Sequence, residues 1–315
     1  MGRVYVLGVI VLAGALATAV AELAAQDAPR GQGRGGRGGG AAQALAITKV
    51  ADNLFMVTGA GGNTAAYVAA NGVVLVDTKN PNTGQAILDQ VRTVTDKPVT
   101  HIINTHTHAD HTGSNVFFPA TVEIVTHENT AANMKKMKNF AEAATAHGLP
   151  DRTYGDRMTL LAGNDAIDLY YFGPTHTSGD TFVVFRNLRA MHSGDAFAQK
   201  GQPFIDTGNG GSGVQYGETI GRAAAGIKNV TTVITGHSPT TMTWQDFVDY
   251  GEFNRLMVQQ ARESLKAGQT PEQAMAAFTA SLPETFKGYN LGPALGRGGP
   301  AGNFTAIIEE LKTAR

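Results

Sequence analysis

Residues 106–111 read His106-Thr107-His108-Ala109-Asp110-His111, and the apolar run 99–103 leads straight into them. Four metal-capable side chains in six positions can act together only where a rigid scaffold holds their loop, such as the end of a strand. Three further candidates each follow a strand-like run. These are His176 in Gly-Pro-Thr-His-Thr-Ser-Gly-Asp, Asp195 in His-Ser-Gly-Asp, and His237 in Thr-Gly-His. Five of the nine histidines belong to this set, so imidazole is concentrated where carboxylates also gather. Imidazole with carboxylate is the donor chemistry of catalytic zinc sites, where one position stays open to water.

The alternation of apolar residues predicts strands over 47–58, 65–70 and 73–76, with Asn71-Gly72 as a hairpin turn and Asp77 at a strand end. Helical spacing appears over 83–94 and 129–146. Strands are expected over 99–103, 122–125, 166–172, 181–185, 188–191 and 230–235. From Thr243 the pattern is helical, with segments over 244–267, from Thr270-Pro271-Glu272, and over 303–312. Every candidate ligand thus falls just past a predicted strand. Such strands stack into sheets with helices outside, and their ends gather one rim of loops.

The first residues have a different character. Arg3 precedes an uncharged apolar run over 4–20, and Ala17-Thr18-Ala19 and Ala19-Val20-Ala21 offer the small-x-small pattern of a cleavage site. Residues 1–21 are therefore expected to be a signal peptide for export to a periplasm-like compartment or beyond, with a retained membrane anchor as the alternative. Residues 22–44 are expected to be a flexible linker. Seven glycines lie within 27–44 and no large apolar side chain offsets the cost of ordering them. Two Arg-Gly-Gly steps there also suggest RNA binding, but 25 basic and 26 acidic residues give no bulk case for nucleic acid or anionic membrane. The chain has no cysteine, which excludes disulfides and any thiolate ligand.

In identity and order, His106, His108, Asp110, His111, His176, Asp195 and His237 resemble the five-part pattern of the metallo-β-lactamase superfamily, and Asp77 matches its first element. The resemblance runs from about Asn53 to Thr243. It implies an α/β (α+β) fold, a four-layer αββα sandwich with a two-metal site at one edge. The catalytic domain is then expected over 45–242, with a C-terminal helical segment over 243–315 packed on it.

The resemblance and coordination chemistry together imply roles. His106, His108 and His176 would hold one zinc ion and Asp110, His111 and His237 a second, with Asp195 bridging. Asp110 would also orient the attacking hydroxide. Binding to zinc brings the pKa of water from 15.7 to about 7, so no serine nucleophile is needed. Asp77 and Asp180, with Thr175, are read as orienting ligands or turns. His101 is expected in the core or behind the site, His127 to cap or pack a helix, His192 to support the site, and His147 on a surface loop. Residues 203–212 form a glycine-containing loop near the cleft, either contacting substrate or simply connecting.

The expected reaction is hydrolysis of a small molecule's amide, lactone or ester bond. Thioesters and phosphodiesters are alternatives within the fold, and an iron-containing redox protein is the alternative outside hydrolysis. The absence of cysteine excludes the lactamase subclass with a cysteine ligand. Asp195 at the bridging position argues against the other dinuclear lactamase subclass.

Overall fold

The computed structural model describes residues 44–292 and 301–313. The expected leader over 1–21 and nearly all of the expected linker lie outside the described residues. No described helix is long and apolar enough to cross a membrane.

Seven strands form the first sheet in chain order: β1 (Ala46–Ala51), β2 (Leu54–Thr58), β3 (Thr64–Ala69), β4 (Gly72–Val76), β5 (Val99–Ile103), β6 (Glu123–His127) and β7 (Arg152–Tyr154). The pairs up to β4 are antiparallel and those from β4 to β7 are parallel. The second sheet has six strands in the order β13-β12-β11-β10-β9-β8. They are β8 (Arg157–Leu160), β9 (Ile167–Tyr170), β10 (Phe182–Phe185), β11 (Ala190–His192), β12 (Thr232–Ile234) and β13 (Met242–Thr243).

Alternation along single strands builds the layers. In β4, Val74 and Val76 point into the core shared with the second sheet, while Val73 and Leu75 point outward against Ile87 and Val91. These last two lie on the buried face of α1 (Gly84–Arg92). In β10, Val183 and Phe185 enter the same inter-sheet core, and Phe182 and Val184 face a third core. That third core is covered by α4 (Gly213–Gly226), α5 (Trp244–Lys266), α6 (Pro271–Ser281) and α7 (Gly302–Thr313). Two sheets face to face with helices on both outer sides make four layers.

Several elements differ from the sequence expectation, each for a local reason. The strand expected over 47–58 is a hairpin, because Asn53 adopts φ 61° and turns the chain between β1 and β2. The helix expected over 129–146 stops early: α3 spans Glu128–Met134, and the chain continues as short 3₁₀ turns over Lys138–Phe140 and Ala146–Gly148. Burying Met134 and Phe140 while Met137 Sδ accepts from Thr107 Oγ1 at 3.4 Å places these side chains as tertiary packing requires, against local helical preference. Short β7 and β8 go unpredicted, as does α4. Four glycines lower the helical propensity of α4, but Gly217 and Gly221 let it approach α5, where a Cβ at either would collide with Arg255.

Candidate metal centre

The motif splits at His108, after which its backbone becomes helical. His106 lies on a bend after β5, and His108 is extended with φ −63° and ψ 146°. Asp110 and His111 then sit on the single turn α2 (Ala109–Thr112). The second sheet supplies the rest: His176 between β9 and β10, Asp195 on a 3₁₀ turn after β11, and His237 after β12. Two groups of potential ligand atoms result, His106, His108, His176 and Asp195 in one, Asp110, His111 and His237 in the other.

Asp195 lies between them. Its Oδ2 is 3.6 Å from His176 Nε2, 4.0 Å from His106 Nε2 and 3.3 Å from His237 Nε2, and its Oδ1 is 3.4 Å from His111 Nε2. Asp110 Oδ2 lies 3.5 Å from His237 Nε2 and 3.9 Å from His111 Nε2. A Cβ at Gly236 would collide with Asp195 Oδ1, so a glycine there makes room for the carboxylate.

Each of four imidazoles has one nitrogen engaged behind the site. His111 Nδ1 donates to Asp77 Oδ2 at 2.7 Å. His106 Nδ1 donates to Thr105 Oγ1 at 3.0 Å, and that hydroxyl donates onward to the same Asp77 oxygen at 2.7 Å. His108 Nε2 donates to Asp206 Oδ2 at 2.6 Å, and His176 Nδ1 donates to the Phe204 carbonyl at 2.6 Å. In the neutral rings these bonds fix tautomer and orientation and leave the other nitrogen of each facing inward as an acceptor.

The inward-facing nitrogens of these rings converge, and His237 joins them. His108 Nδ1 and His176 Nε2 are 2.8 Å apart, and His111 Nε2 and His237 Nε2 are 3.4 Å apart. His106 Nε2 and Asp195 Oδ1 are buried with no hydrogen-bond partner among the described residues. A buried unpaired acceptor is costly, and converging acceptors repel unless a cation lies among them. The donor set therefore fits metal ions.

The charges agree. Burial lowers the affinity of the His106 and His176 rings for protons, and the neighbouring imidazoles lower it further. For His111 burial acts the same way, but the carboxylates of Asp195, Asp77 and Asp110 raise its pKa well above the usual value. Burial opposes the charge on Asp195, yet His237 and His111 hold its carboxyl well below the usual range. The pocket is built around positive charge.

All seven residues singled out as ligands in the sequence meet here, and Asp77 and Asp180 stand behind them. Asp77, fully buried with φ 64°, also accepts from the Thr105 backbone N–H at 2.8 Å. Asp180 accepts from the Thr177 N–H at 2.8 Å, from Thr177 Oγ1 at 2.7 Å and from Thr175 Oγ1, closing the loop that carries His176. His192 donates from Nε2 to the Asn63 carbonyl and accepts at Nδ1 from the Gly194 N–H, both at 3.0 Å, shaping the turn before Asp195. Away from the site, His127 accepts from the Asn129 N–H and caps α3, His147 meets the Val116 carbonyl, and half-buried His101 pairs with Glu123.

Sequence reasoning missed three contributors. Asp206 orients His108 and carries no signal beyond an Asp-Thr-Gly-Asn turn. Residues 59–63, Gly-Ala-Gly-Gly-Asn, form the floor of the second group: Gly62 packs so closely on His111 that a Cβ would overlap the ring, and Gly62 N–H donates to the Asp110 carbonyl at 2.9 Å. That glycine run after a strand was a readable signal of close backbone approach. Lys79 is fully buried at φ 61° and donates to the carbonyls of Gly62 at 2.7 Å and Val57 at 2.8 Å. Burial brings its pKa down to about 7 against the pull of Asp77.

Comparison with known proteins places this geometry. A sequence model of the metallo-beta-lactamase superfamily matches residues 57–244, more than half of the chain. The chain is 30% identical over 150 residues to the 2,4-dinitroanisole O-demethylase subunit alpha of Nocardioides sp. (strain JS1661), covering 46% of this chain and 44% of that protein. It is 39% identical over 70 residues to metallo-beta-lactamase domain-containing protein 1 of Rattus norvegicus, covering 22% of this chain and 28% of that one. The chain thus spans less than half the length of these curated relatives.

Among solved structures, DIM-1 metallo-beta-lactamase superposes with a TM-score of 0.55 at 19% identity, over 66% of this chain and 97% of that one. The stereoselective inverting sec-alkylsulfatase Pisa1 of Pseudomonas sp. superposes with a TM-score of 0.69 at 14% identity, over 84% of this chain and 50% of that one. These likenesses show the fold. With the matched stretch, the layered sheets and the ligand order in agreement, the chain belongs to the metallo-beta-lactamase superfamily.

Proposed function

We propose that this chain is a dinuclear zinc-dependent hydrolase that opens an amide, lactone or ester bond in a small molecule. The observation that carries this reading is Asp195, a buried carboxylate within 3.3–4.0 Å of the Nε2 atoms of His106, His111, His176 and His237. One carboxylate reaching both ligand groups suits two cations sharing a bridge. His106, His108 and His176 would hold one ion, Asp110, His111 and His237 the other. Two bound zinc ions would supply Lewis acidity and bring the pKa of water to about 7.

The chain's own residues do the remaining work. Asp77, Asp206, Thr105 and the Phe204 carbonyl hold the imidazoles in the tautomers that present bare nitrogens. Asp195 has a side chain only 2% exposed, whereas that of Asp110 is 28% exposed, so Asp110 is the cluster carboxylate that meets solvent. It would hold a ligand position and accept a hydrogen bond from the attacking water, orienting it. His237, its side chain 18% exposed, lines the same opening.

Substrate choice is tested by a panel of a chromogenic cephalosporin, homoserine lactones, a thioester and an aryl phosphodiester, with and without chelator. The named relatives add a nitro-activated aryl methyl ether and a secondary alkyl sulfate. Chelator-sensitive turnover of a lactone, amide or ester, with two zinc equivalents by elemental analysis, is the expected result. One equivalent at saturation would overturn the dinuclear reading, and iron in protein purified without added metal would favour redox chemistry. Export belongs to the same proposal: native protein is expected to begin near Glu22 or Gln26, and recovery of Met1 or Gly2 by N-terminal sequencing would refute it.

A further inference from the structure

The first ligand group depends on a loop whose two ends are tied to the C-terminal helical segment. Residues 200–212 supply the partners of two ligands: Phe204 carbonyl to His176 Nδ1 and Asp206 Oδ2 to His108 Nε2, both at 2.6 Å. Asp206 N–H donates back to the His176 carbonyl at 2.9 Å, Gly211 N–H to the Asp206 carbonyl at 2.8 Å, and Ser212 N–H to the Thr175 carbonyl at 3.0 Å. The loop is thus laced to the His176 segment through its middle. Its ends need separate anchors.

At the near end, Asn290 N–H donates to the Lys200 carbonyl at 3.1 Å and Gln202 N–H to the Asn290 carbonyl at 3.0 Å. Gln202 Nε2 donates to the Leu291 carbonyl at 2.6 Å. At the far end, the Glu310 carboxylate of α7 accepts from Ser212 Oγ and, at 3.1 Å, from the Val214 N–H. Ser212 is in turn the N-cap of α4, its Oγ accepting from the Gln215 N–H at 3.0 Å. Beside this contact Gly213 lies so close to Ile307 of α7 that a Cβ would collide with it. Among the described residues, no hydrogen bond joins the C-terminal segment to the residues that hold the second group, and the His237 N–H donates to the Ala198 carbonyl at 2.8 Å. His111 is held by Asp77 and Gly62, and the His237 loop by Asn63, whose Nδ2 donates to the carbonyls of Thr235 at 2.9 Å and Ser238 at 2.7 Å.

We propose that Glu310, with the Asn290-Leu291 backbone, is a positioning element for the first metal site, fixing both ends of loop 200–212 and through it the rings of His108 and His176. Asn290, Leu291 and Glu310 all lie beyond the stretch matched by the family pattern, which ends at residue 244. The C-terminal segment therefore helps build one half of the metal centre and leaves the other half to the sandwich. The inference rests on the reading that His106, His108 and His176 hold a metal ion.

Zinc competition against a chromogenic chelator tests it in two backgrounds of the full chain. His237→Ala weakens the second group and reports the first, while His176→Ala reports the second. Adding Glu310→Ala is expected to weaken first-group affinity about tenfold, the low end for partners behind a metal ligand, and to leave the second group unchanged. Gln202→Leu, which removes the side-chain bond of the near anchor to the Leu291 carbonyl, should do the same. Unchanged first-group affinity in both variants would overturn the proposal, as would equal loss at both groups, whether through unfolding or otherwise. A parent chain that takes up no zinc would instead remove the metal reading beneath it.

Discussion

Behind the second ligand group stands one buried carboxylate, Asp77, with a glycine floor at 59–63. Behind the first stand Asp206 and the Phe204 carbonyl, on a loop anchored by residues near the C-terminus. Asp77 follows β4 directly and is 34 residues from His111, within the parallel part of the first sheet. Asp206 is 98 residues from His108 and reaches it only because the two sheets stack. A strand end thus holds His111 and, through Thr105, His106, whereas a laced loop holds His108 and His176. The strand-end device follows from sheet register. The loop device needs the whole C-terminal half to be folded.

The largest expected effect falls on the group with solvent access. Asp110→Asn keeps shape and one ligand oxygen but loses charge, and electrostatic groups of this kind contribute about 10²–10³ in rate. kcat is expected to fall by that factor at full zinc loading with KM little changed. Normal turnover of Asp110→Asn on any substrate of the panel would detach Asp110 from the reaction.

Next come the two orienting carboxylates. Loss of such a partner weakens metal affinity by about 10–100-fold. Asp206→Asn should show this at the first group alone. Asp77→Asn should affect both groups, because Asp77 Oδ2 accepts from His111 directly and from the Thr105 hydroxyl that serves His106. Metal titrations in which Asp206→Asn and Asp77→Asn give the same pattern would erase the contrast drawn between the halves.

A smaller effect is expected from Lys79→Met, which keeps the buried stem and removes both hydrogen bonds to the Val57 and Gly62 carbonyls. Leaving a buried acceptor unpaired costs about 1–3 kcal/mol, to be read as a lower midpoint in denaturant unfolding. Unchanged stability would show that the floor at 59–63 stands without its lysine.

The smallest expected effect is a pH dependence remote from both groups. Burial brings His127 down to about 4, and its Nδ1 must stay unprotonated to accept from the Asn129 N–H at 3.2 Å. Unfolded histidine titrates near 6.5, so between that value and about 4 the unfolded chain binds more protons than the folded one. His127 therefore supports the fold fully above about 6.5, and stability falls as pH drops toward 4. His127→Gln should flatten that part of the pH–stability curve while turnover stays within about tenfold. A variant with the same slope as the parent would place the titrating group elsewhere.

Strand ends were legible in the sequence because alternation and apolar runs mark them, and each ligand stood just past one. The candidate ligands were legible too, since six consecutive residues carried four of them. Helix α3 was overextended because local preference does not register the pull of Met137 and Phe140 toward their tertiary contacts. Helix α4 was missed because its glycines look unfavourable until α5 is packed against them.

What the sequence by itself determined is therefore the donor chemistry and the order in which the strands present it. Tertiary structure decided which side chains stand behind the ligands. Asp206 and Glu310 are ordinary polar residues along the chain, and their roles depend on contacts spanning 98 positions each, Asp206 to His108 and Glu310 to Ser212. Hydrogen bonds act over about 3 Å of space whatever the separation along the chain, so only the folded sandwich with its C-terminal helices brings these partners within reach.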